Sequence, residues 1–181
     1  DFTEALSRWG TPGAYDMDAA PHTVRSIAIN RLPIFDEANP KEDRLLYRWA
    51  NDLHIYTRPT VISQQLLFEE NSVVNSQNLA ESERLLRKQK YLGDARIRVL
   101  QDCDTVVDLE VVTREVWSLT PEVSFKSTGG HSSSGVGIRD SNFLGTGQYI
   151  DLNYKTDQER SSYGLTYKNP NVAGGRHIFS T

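Results

Sequence analysis

The segment from Gln148 to Pro170, QYIDLNYKTDQERSSYGLTYKNP, alternates apolar and polar residues on both sides of a polar turn. Its apolar positions are Ile150, Leu152, Tyr154, Tyr163, Leu165 and Tyr167. Between them lie polar residues, among them Asp151, Asn153, Lys155, Thr166 and Lys168. Because a period of two places successive side chains on opposite faces of a strand, the segment predicts a β-hairpin with one apolar face.

The rest of the chain after Trp117 has no helical period. EVSFKS, SGVGIRD and RHIFST alternate in the same way as the hairpin and are separated by turns rich in Gly, Ser and Asn. This spacing is typical of strands in an up-and-down antiparallel array.

Residues 23–117 predict a different architecture. Thr23–Phe35 is rich in β-branched residues and predicts a strand. A helix with an apolar stripe (Leu45, Leu46, Trp49, Leu53) is expected to follow, with Asn39 as its cap, Pro40 at its first position and Glu42 completing the start signal.

Two more helices are predicted before the chain returns to strands. The first begins near Thr57, and the second runs to Leu92, where Gly93 ends it; Leu79, Leu85 and Leu86 point inward and its outer face is charged. Residues 95–100 and 106–117 then predict two strands joined by a polar turn. The order strand, helices, strand, strand indicates an α+β layer with helices on one face of a short sheet.

Composition excludes several classes of function. With 181 residues and a net charge of −4, the chain offers no basic field for nucleic acid. Its one cysteine, Cys103, excludes an intrachain disulfide and a cysteine-based zinc site. Residues 1–22 are expected to be a leader or linker, and the chain is expected to be a fragment of a longer protein.

No catalytic motif is found in the sequence. The histidines share no ligand spacing, and His54 is expected to be a packed residue rather than a metal ligand. GGHSSSG lacks the lysine and the helix of a phosphate loop, and GTG at 145–147 is an isolated pair of glycines. We therefore predict no catalytic residue, no metal and no cofactor.

Two groups of motifs together resemble a known family. IFDEANPKEDRLLYRWANDLHIYTRPTVISQQLLF, ESERLLRKQKYLGDARI and VVDLEVVTREVWSLTP resemble a polypeptide-transport-associated (POTRA) domain. GIRDSNFLGTGQ and YKNPNVAGGR resemble the opening strands of a membrane barrel. From Thr23 to Thr181 the chain is thus similar to the BamA-type outer-membrane assembly factors, the bacterial surface antigen family. Residues 36–56 depart from the family pattern as an insertion with its own helix.

The resemblance implies an α+β fold class: a POTRA-like β-α-α-β-β domain at 23–117 with an inserted helix. An incomplete outer-membrane β-barrel would follow at 118–181, since closure takes about eight strands. The resemblance also implies a location in the bacterial outer membrane, with residues 23–117 in the periplasm.

The implied partners are extended polypeptide clients, outer-membrane lipid, accessory assembly subunits and, through open strand edges, other copies of the chain. Clients would add to a sheet edge by β-augmentation. The edge strand that the resemblance implies consists of Ala95, Arg96, Ile97, Arg98, Val99 and Leu100. The lipid-facing residues would be Ile150, Leu152, Tyr154, Tyr163, Leu165 and Tyr167.

Three alternatives remain open from the sequence. Arg96 and Arg98 are also what a protected edge uses to repel partners. The chain could be a soluble periplasmic binding or adaptor module whose β-rich tail packs on its own domain. It could instead be the translocator part of a protein with an enzyme domain fused upstream.

Overall fold

The structure is a computed structural model that describes residue 15 and residues 21–36, 44–103, 105–129, 131–170 and 179–180. These residues fall into two compact units. The first comes from residues 1–54 and 58–116, and the second from residues 55–57 and 117–181. The membership of residues 55–57 in the second unit was not predicted from the sequence.

The first unit is a four-stranded sheet with three helices. Its elements are β1 (His22–Leu32), α1 (Leu45–Leu53), α2 (Pro59–Ser63), β2 (Val73–Val74), α3 (Ser76–Arg87), β3 (Leu92–Cys103) and β4 (Val106–Glu115). The strand order is β2-β1-β4-β3, with β1 parallel to β4 and the other pairs antiparallel. The predicted order of strands and helices is confirmed, and the two-residue strand β2 was missed.

Strand β4 lies inside the sheet and carries the centre of the core. Val107, Leu109 and Val111 are fully buried on one of its faces. Helix α3 packs Leu79 and Leu86 into the same cluster. Asn75 caps this helix by accepting a hydrogen bond from the backbone N–H of Asn78 at 2.9 Å, which satisfies one of its free N–H groups.

Helix α1 exposes its apolar face, whereas an amphipathic helix usually packs that face against the core. Its apolar stripe is exposed: Leu45, Leu46, Trp49 and Leu53. The helix is held instead through Phe35, whose backbone exchanges two hydrogen bonds with the Asn51 side chain and whose ring stacks on Tyr47. The predicted start at Asn39–Glu42 lies outside the described residues, and the helix begins after Arg44.

The predicted start of helix α2 and the predicted end of helix α3 were wrong. Helix α2 begins at Pro59 with Arg58, not Thr57, before it. Helix α3 ends at Arg87 rather than Leu92, and Gly93 lies in a strand. The reason is that Leu92 pairs with Glu115 of β4, so strand pairing overrides the local helical pattern.

The second unit is a five-stranded antiparallel sheet. Its strands are β5 (Leu119–Thr128), β6 (His131–Phe143), β7 (Gln148–Thr156), β8 (Ser161–Asn169) and β9 (Phe179–Ser180). They lie in chain order, with β5 at one end and β9 at the other, and among the described residues no pairing joins these two strands, so the sheet is open. The predicted up-and-down array is confirmed for the described residues; of the predicted RHIFST strand, only Phe179 and Ser180 are among them.

No helix in the described part of the chain is long and apolar enough to cross a membrane.

The turn between β6 and β7 contains the GTG motif and is built around one buried side chain. Asn142 accepts the backbone N–H of Gly147 at 2.8 Å and donates to the hydroxyl of Thr57 at 2.9 Å. Gly145 has a φ of +70° and lies against the carbonyl group of Tyr56. Residues 55–57 are therefore held to this turn by Asn142 and by the absence of a side chain at Gly145.

We expect Gly145→Ala to destabilise the second unit by roughly 2–4 kcal/mol, because its methyl group would overlap the Tyr56 carbonyl and its φ is strained. Gly129→Ala is the matched control, since Gly129 also has a positive φ, +60°, but open space around it. The control should cost only about 1 kcal/mol. Urea unfolding of the two variants measures the difference, and equal losses would contradict the contact with Tyr56.

Candidate functional site

The predicted edge strand lies within β3, at one end of the four-stranded sheet. Ala95 and Ile97 are buried against the helices, and Val99 packs partly on the same cluster. Arg96 and Arg98 lie on the opposite face. Leu100 is exposed and falls where the register with β4 shifts, between Val99 and Gln101. The structure thus places all six residues on an edge strand but divides their side chains between two faces.

The two arginines are bound to carboxylates of the same sheet. Arg96 pairs with Asp94 at 3.0 Å, and Arg98 pairs with Glu110 of the neighbouring strand. Glu110 also accepts a hydrogen bond from Asn30 at 3.2 Å. Because their charges are neutralised within the sheet, these arginines are poorly suited to repel an approaching strand.

A third carboxylate on this sheet, Asp108, is bound by residues of β1. Arg25 donates to it from two nitrogens, and the Ser26 hydroxyl donates at 2.7 Å. The hydrogen bonds from Arg25 and then from Ser26 lower the pKa of Asp108 to about 2. The bonds cross from β1 to β4, so this ionised carboxylate ties the parallel pair together.

The outer edge of β3 is met by two side chains of α3. The Ile97 N–H donates to Oε1 of Glu83 at 2.8 Å, and Nη1 of Arg87 donates to the Ala95 carbonyl at 3.0 Å. In an antiparallel pair, the N–H and C=O of one residue both point towards the partner strand, and those of the next residue both point away from it. Ala95, Ile97 and Val99 therefore direct their backbone groups away from β4.

Glu83 does not lie on the charged outer face predicted for this helix, whereas Arg87 is about one-third exposed. Glu83 is only 1% exposed. A signal was present, because Glu83 follows Leu79 by four residues and precedes Leu86 by three, which places it on the buried face.

The six residues predicted to face lipid share one face of the second unit's sheet. Cross-strand pairs join Ile150 to Tyr167, Leu152 to Leu165 and Tyr154 to Tyr163. The rings of Tyr154 and Tyr163 are 4.9 Å apart. Tyr163 is 84% exposed and Leu165 is 64% exposed. The face is therefore apolar and uncovered.

Two further strands extend this apolar face. Val136 and Ile138 of β6 pair with Tyr154 and Leu152, and Val123 of β5 pairs with Val136. Val123 and Phe125 are 85% and 76% exposed. The same alternation marks these residues in the sequence, but they were not assigned to the face. An uncovered apolar surface across four strands is unusual for a soluble monomer.

The reverse face of the same sheet is polar and internally paired. Arg139 binds Glu122 of β5 at 2.7 Å and Asp151 of β7 at 3.2 Å. Asp151 also accepts a hydrogen bond from Tyr149 at 3.0 Å. The residues predicted opposite the apolar side chains lie here by register: Asp151, Asn153, Lys155, Thr166 and Lys168. The sheet thus has one apolar and one polar face.

Glycines give the polar face room for a larger side chain. A Cβ at Gly164 would lie 2.6 Å from Oδ1 of Asn153, its cross-strand partner. The Asn153 side chain thus occupies the space that a side chain at position 164 would need.

The other candidates for chemistry are not assembled into a centre. His54 is packed, with its Nε2 3.5 Å from Oε2 of Glu115, and both side chains are buried. Gly129 forms the turn between β5 and β6. Among the described residues, no group of three or more His, Cys, Asp or Glu side chains is placed to hold a metal ion.

We expect NMR titration of the carboxyl carbon to give Asp108 a pKa of about 2. Arg25→Met should raise the pKa of Asp108 towards 3.8, its usual value, whereas Ser26→Ala should raise it less. Since the pKa is depressed in the folded state, the stabilisation is present above about pH 4 and is lost as the pH falls towards 2. A wild-type pKa of 3.8 would contradict the Arg25 contact.

Comparison with known proteins finds similar structures but no similar sequences. No protein-family model and no curated sequence matches the chain. Among solved structures it is similar to the crystal structure of BamA from Haemophilus ducreyi lacking POTRA domains 1–3, at 15% identity and a TM-score of 0.59, over 88% of this chain and 26% of that one. CdiB from Acinetobacter baumannii also matches, at 14% identity and a TM-score of 0.47, over 81% of this chain and 25% of that one.

The chain spans about a quarter of the length of these two structures. At this identity the BamA match shows a shared fold. The predicted resemblance to BamA-type proteins is therefore confirmed at the level of the fold.

Proposed function

We propose that the chain is a portion of an outer-membrane protein assembly or translocation factor. The observation that carries the proposal is the two-sided sheet of the second unit: an uncovered apolar face over four strands, backed by a polar, ion-paired face. Strands of a membrane barrel alternate in this way between lipid and lumen. The proposed location is the bacterial outer membrane, and the role requires no catalysis.

The first unit is proposed to be a POTRA-like domain in the periplasm. Its order of β1, helices, β3 and β4 fits the β-α-α-β-β pattern, with α1 as the inserted helix. Strand β3 lies at the edge and β4 inside the sheet, which is the arrangement the resemblance implies.

The proposed partner of the first unit is an extended polypeptide that adds to the edge of β3. Main-chain hydrogen bonds would supply most of the binding, so the client sequence would matter little. Neutralisation of Arg96 and Arg98 by Asp94 and Glu110 supports this proposal over a repelling edge. Val99, whose backbone groups point outward, is proposed as a pairing position.

The proposed partner of the second unit's apolar face is lipid. Tyr154, Tyr163 and Tyr167 would suit the membrane interface, where a ring can be partly buried and its hydroxyl hydrated. Arg139, Glu122 and Asp151 would then face the lumen as a paired network.

We expect Val99→Pro to weaken binding of an extended peptide at least about tenfold, because proline lacks the outward N–H and restricts the strand. The inward hydrogen bonds to β4 should survive, since Val99 directs its N–H away from that strand. Val99→Ala is the control, since it shortens the side chain but keeps the amide. Fluorescence anisotropy with a labelled peptide measures binding, and circular dichroism checks the fold. Equal binding by the two variants would contradict β-augmentation at this edge.

We expect Leu165→Arg to reduce flotation of the chain with phosphatidylethanolamine–phosphatidylglycerol vesicles by roughly 10- to 100-fold, because it places a charge on the apolar face. Ser162→Arg adds the same charge to the polar face of the same strand and should change flotation little. Equal losses in the two variants would contradict lipid contact by the apolar face. No flotation of the wild-type chain would favour the soluble adaptor.

A further inference from the structure

The outer edge of β3 is not uniformly open. At Ala95 and Ile97 its backbone already has partners, because Arg87 donates to the Ala95 carbonyl and Glu83 accepts the Ile97 N–H. The Ala95 N–H donates to Oδ1 of Asp94 at 2.8 Å. Three successive outward groups are therefore satisfied within the chain.

Glu83 and Arg87 form an ion pair with each other as well as binding the β3 backbone. They lie one helical turn apart on α3, and Nη1 of Arg87 binds Oε2 of Glu83 at 3.0 Å while also donating to Ala95. One carboxylate oxygen and one guanidinium nitrogen thus occupy the places of the C=O and N–H of an added strand. Because charged partners form stronger hydrogen bonds than amides, an incoming peptide cannot displace them without a cost.

The next outward groups along β3 are the Ile97 carbonyl and the Val99 amide. They have no hydrogen-bond partner among the described residues, and one residue later Leu100 is the position at which the register with β4 shifts. Within the described part of the chain, the stretch of the edge without hydrogen-bond partners therefore begins where the Glu83–Arg87 pair ends.

We propose that Glu83 and Arg87 form a side-chain gate that closes the Ala95–Ile97 half of the edge and confines strand addition to the part that starts at the Ile97 carbonyl. This inference rests on the proposed function, because it assumes that extended polypeptide adds to β3. Glu83 and Arg87 thereby set the position and length of the client's pairing. Removing the gate adds the Ala95 carbonyl and the Ile97 N–H to that pairing.

The test compares the wild-type chain with Glu83→Met/Arg87→Met. Replacing both partners by apolar side chains of similar length avoids leaving one charge buried and unpaired. The control is Glu81→Ala/Arg84→Ala, which removes the exposed ion pair of the same helix. The probe is a fluorescein-labelled peptide of ten alternating valines and threonines with a lysine at each end, and binding is measured by anisotropy.

We expect the gate variant to bind the peptide roughly tenfold tighter than wild type, since two more backbone hydrogen bonds form. The control should bind like wild type. Without peptide, amide exchange at Ile97 should be faster in the gate variant than in the control. Glu83→Gln/Arg87→Met leaves no buried charge and frees the Ala95 carbonyl. It should bind roughly threefold tighter and serves if the double methionine variant is unstable.

Three results would overturn the gate. If all these proteins bind the peptide equally and Val99→Pro abolishes binding, the gate is wrong while the proposed function stands. If Ile97 amide exchange is the same in the gate variant and the control, Glu83 does not cap that amide. If neither wild type nor the gate variant binds the peptide, the proposed function fails and the gate falls with it.

Discussion

Unpaired backbone groups at strand edges are the constraint on which this molecule depends. Each N–H and C=O at an edge needs a partner from water, side chains or another strand. The two sheets meet this demand differently. In the first unit, β4 is paired on one side with β1 and on the other with β3, so β3 forms the edge of the sheet. Two charged side chains of α3 bind backbone groups on the outer side of β3. In the second unit, β5 ends an open sheet with all its described residues exposed.

On the proposed function, this difference would give the two edges different capacities to add a strand. The edge of β3 is covered over part of its length by a buried carboxylate, and a buried charge is stable only when it is fully hydrogen-bonded. Glu83 meets that condition through Ile97 and Arg87 together. A gate built in this way is strong while both residues are present and costs little to remove when both are replaced by apolar groups. A single surface arginine such as Arg84 could not do the same, because an exposed pair adds little stability.

The sequence predicted strands better than helix ends, for a physical reason. The hairpin's cross-strand partners, Ile150 with Tyr167 and Leu152 with Leu165, follow from period-two alternation about a short turn. The end of α3 could not be found locally, because Gly93 looks like a helix stop until the pairing of Leu92 with β4 is known. Residues 55–57 gave no periodic signal, since their place depends on Asn142 and Gly145, which are about 85 to 90 residues away.

At the candidate site, too, the sequence predicted what depends on local alternation and missed what depends on distant contacts. Register positions on β3 and on the hairpin could be read from alternation, whereas the role of Glu83 depends on an amide 14 residues later.

Alternation also could not decide what covers an apolar face, because a soluble core and a lipid bilayer favour the same residues. The burial pattern supplies that argument: in the first unit the face formed by Val107, Leu109 and Val111 is fully covered, while in the second Val123, Tyr163 and Leu165 are not. The chain thus buries one alternating apolar face against its own helices and leaves another exposed across four strands. We propose lipid as the cover of the exposed face, because the polar reverse face, with Arg139 paired on both sides, already satisfies its own charges.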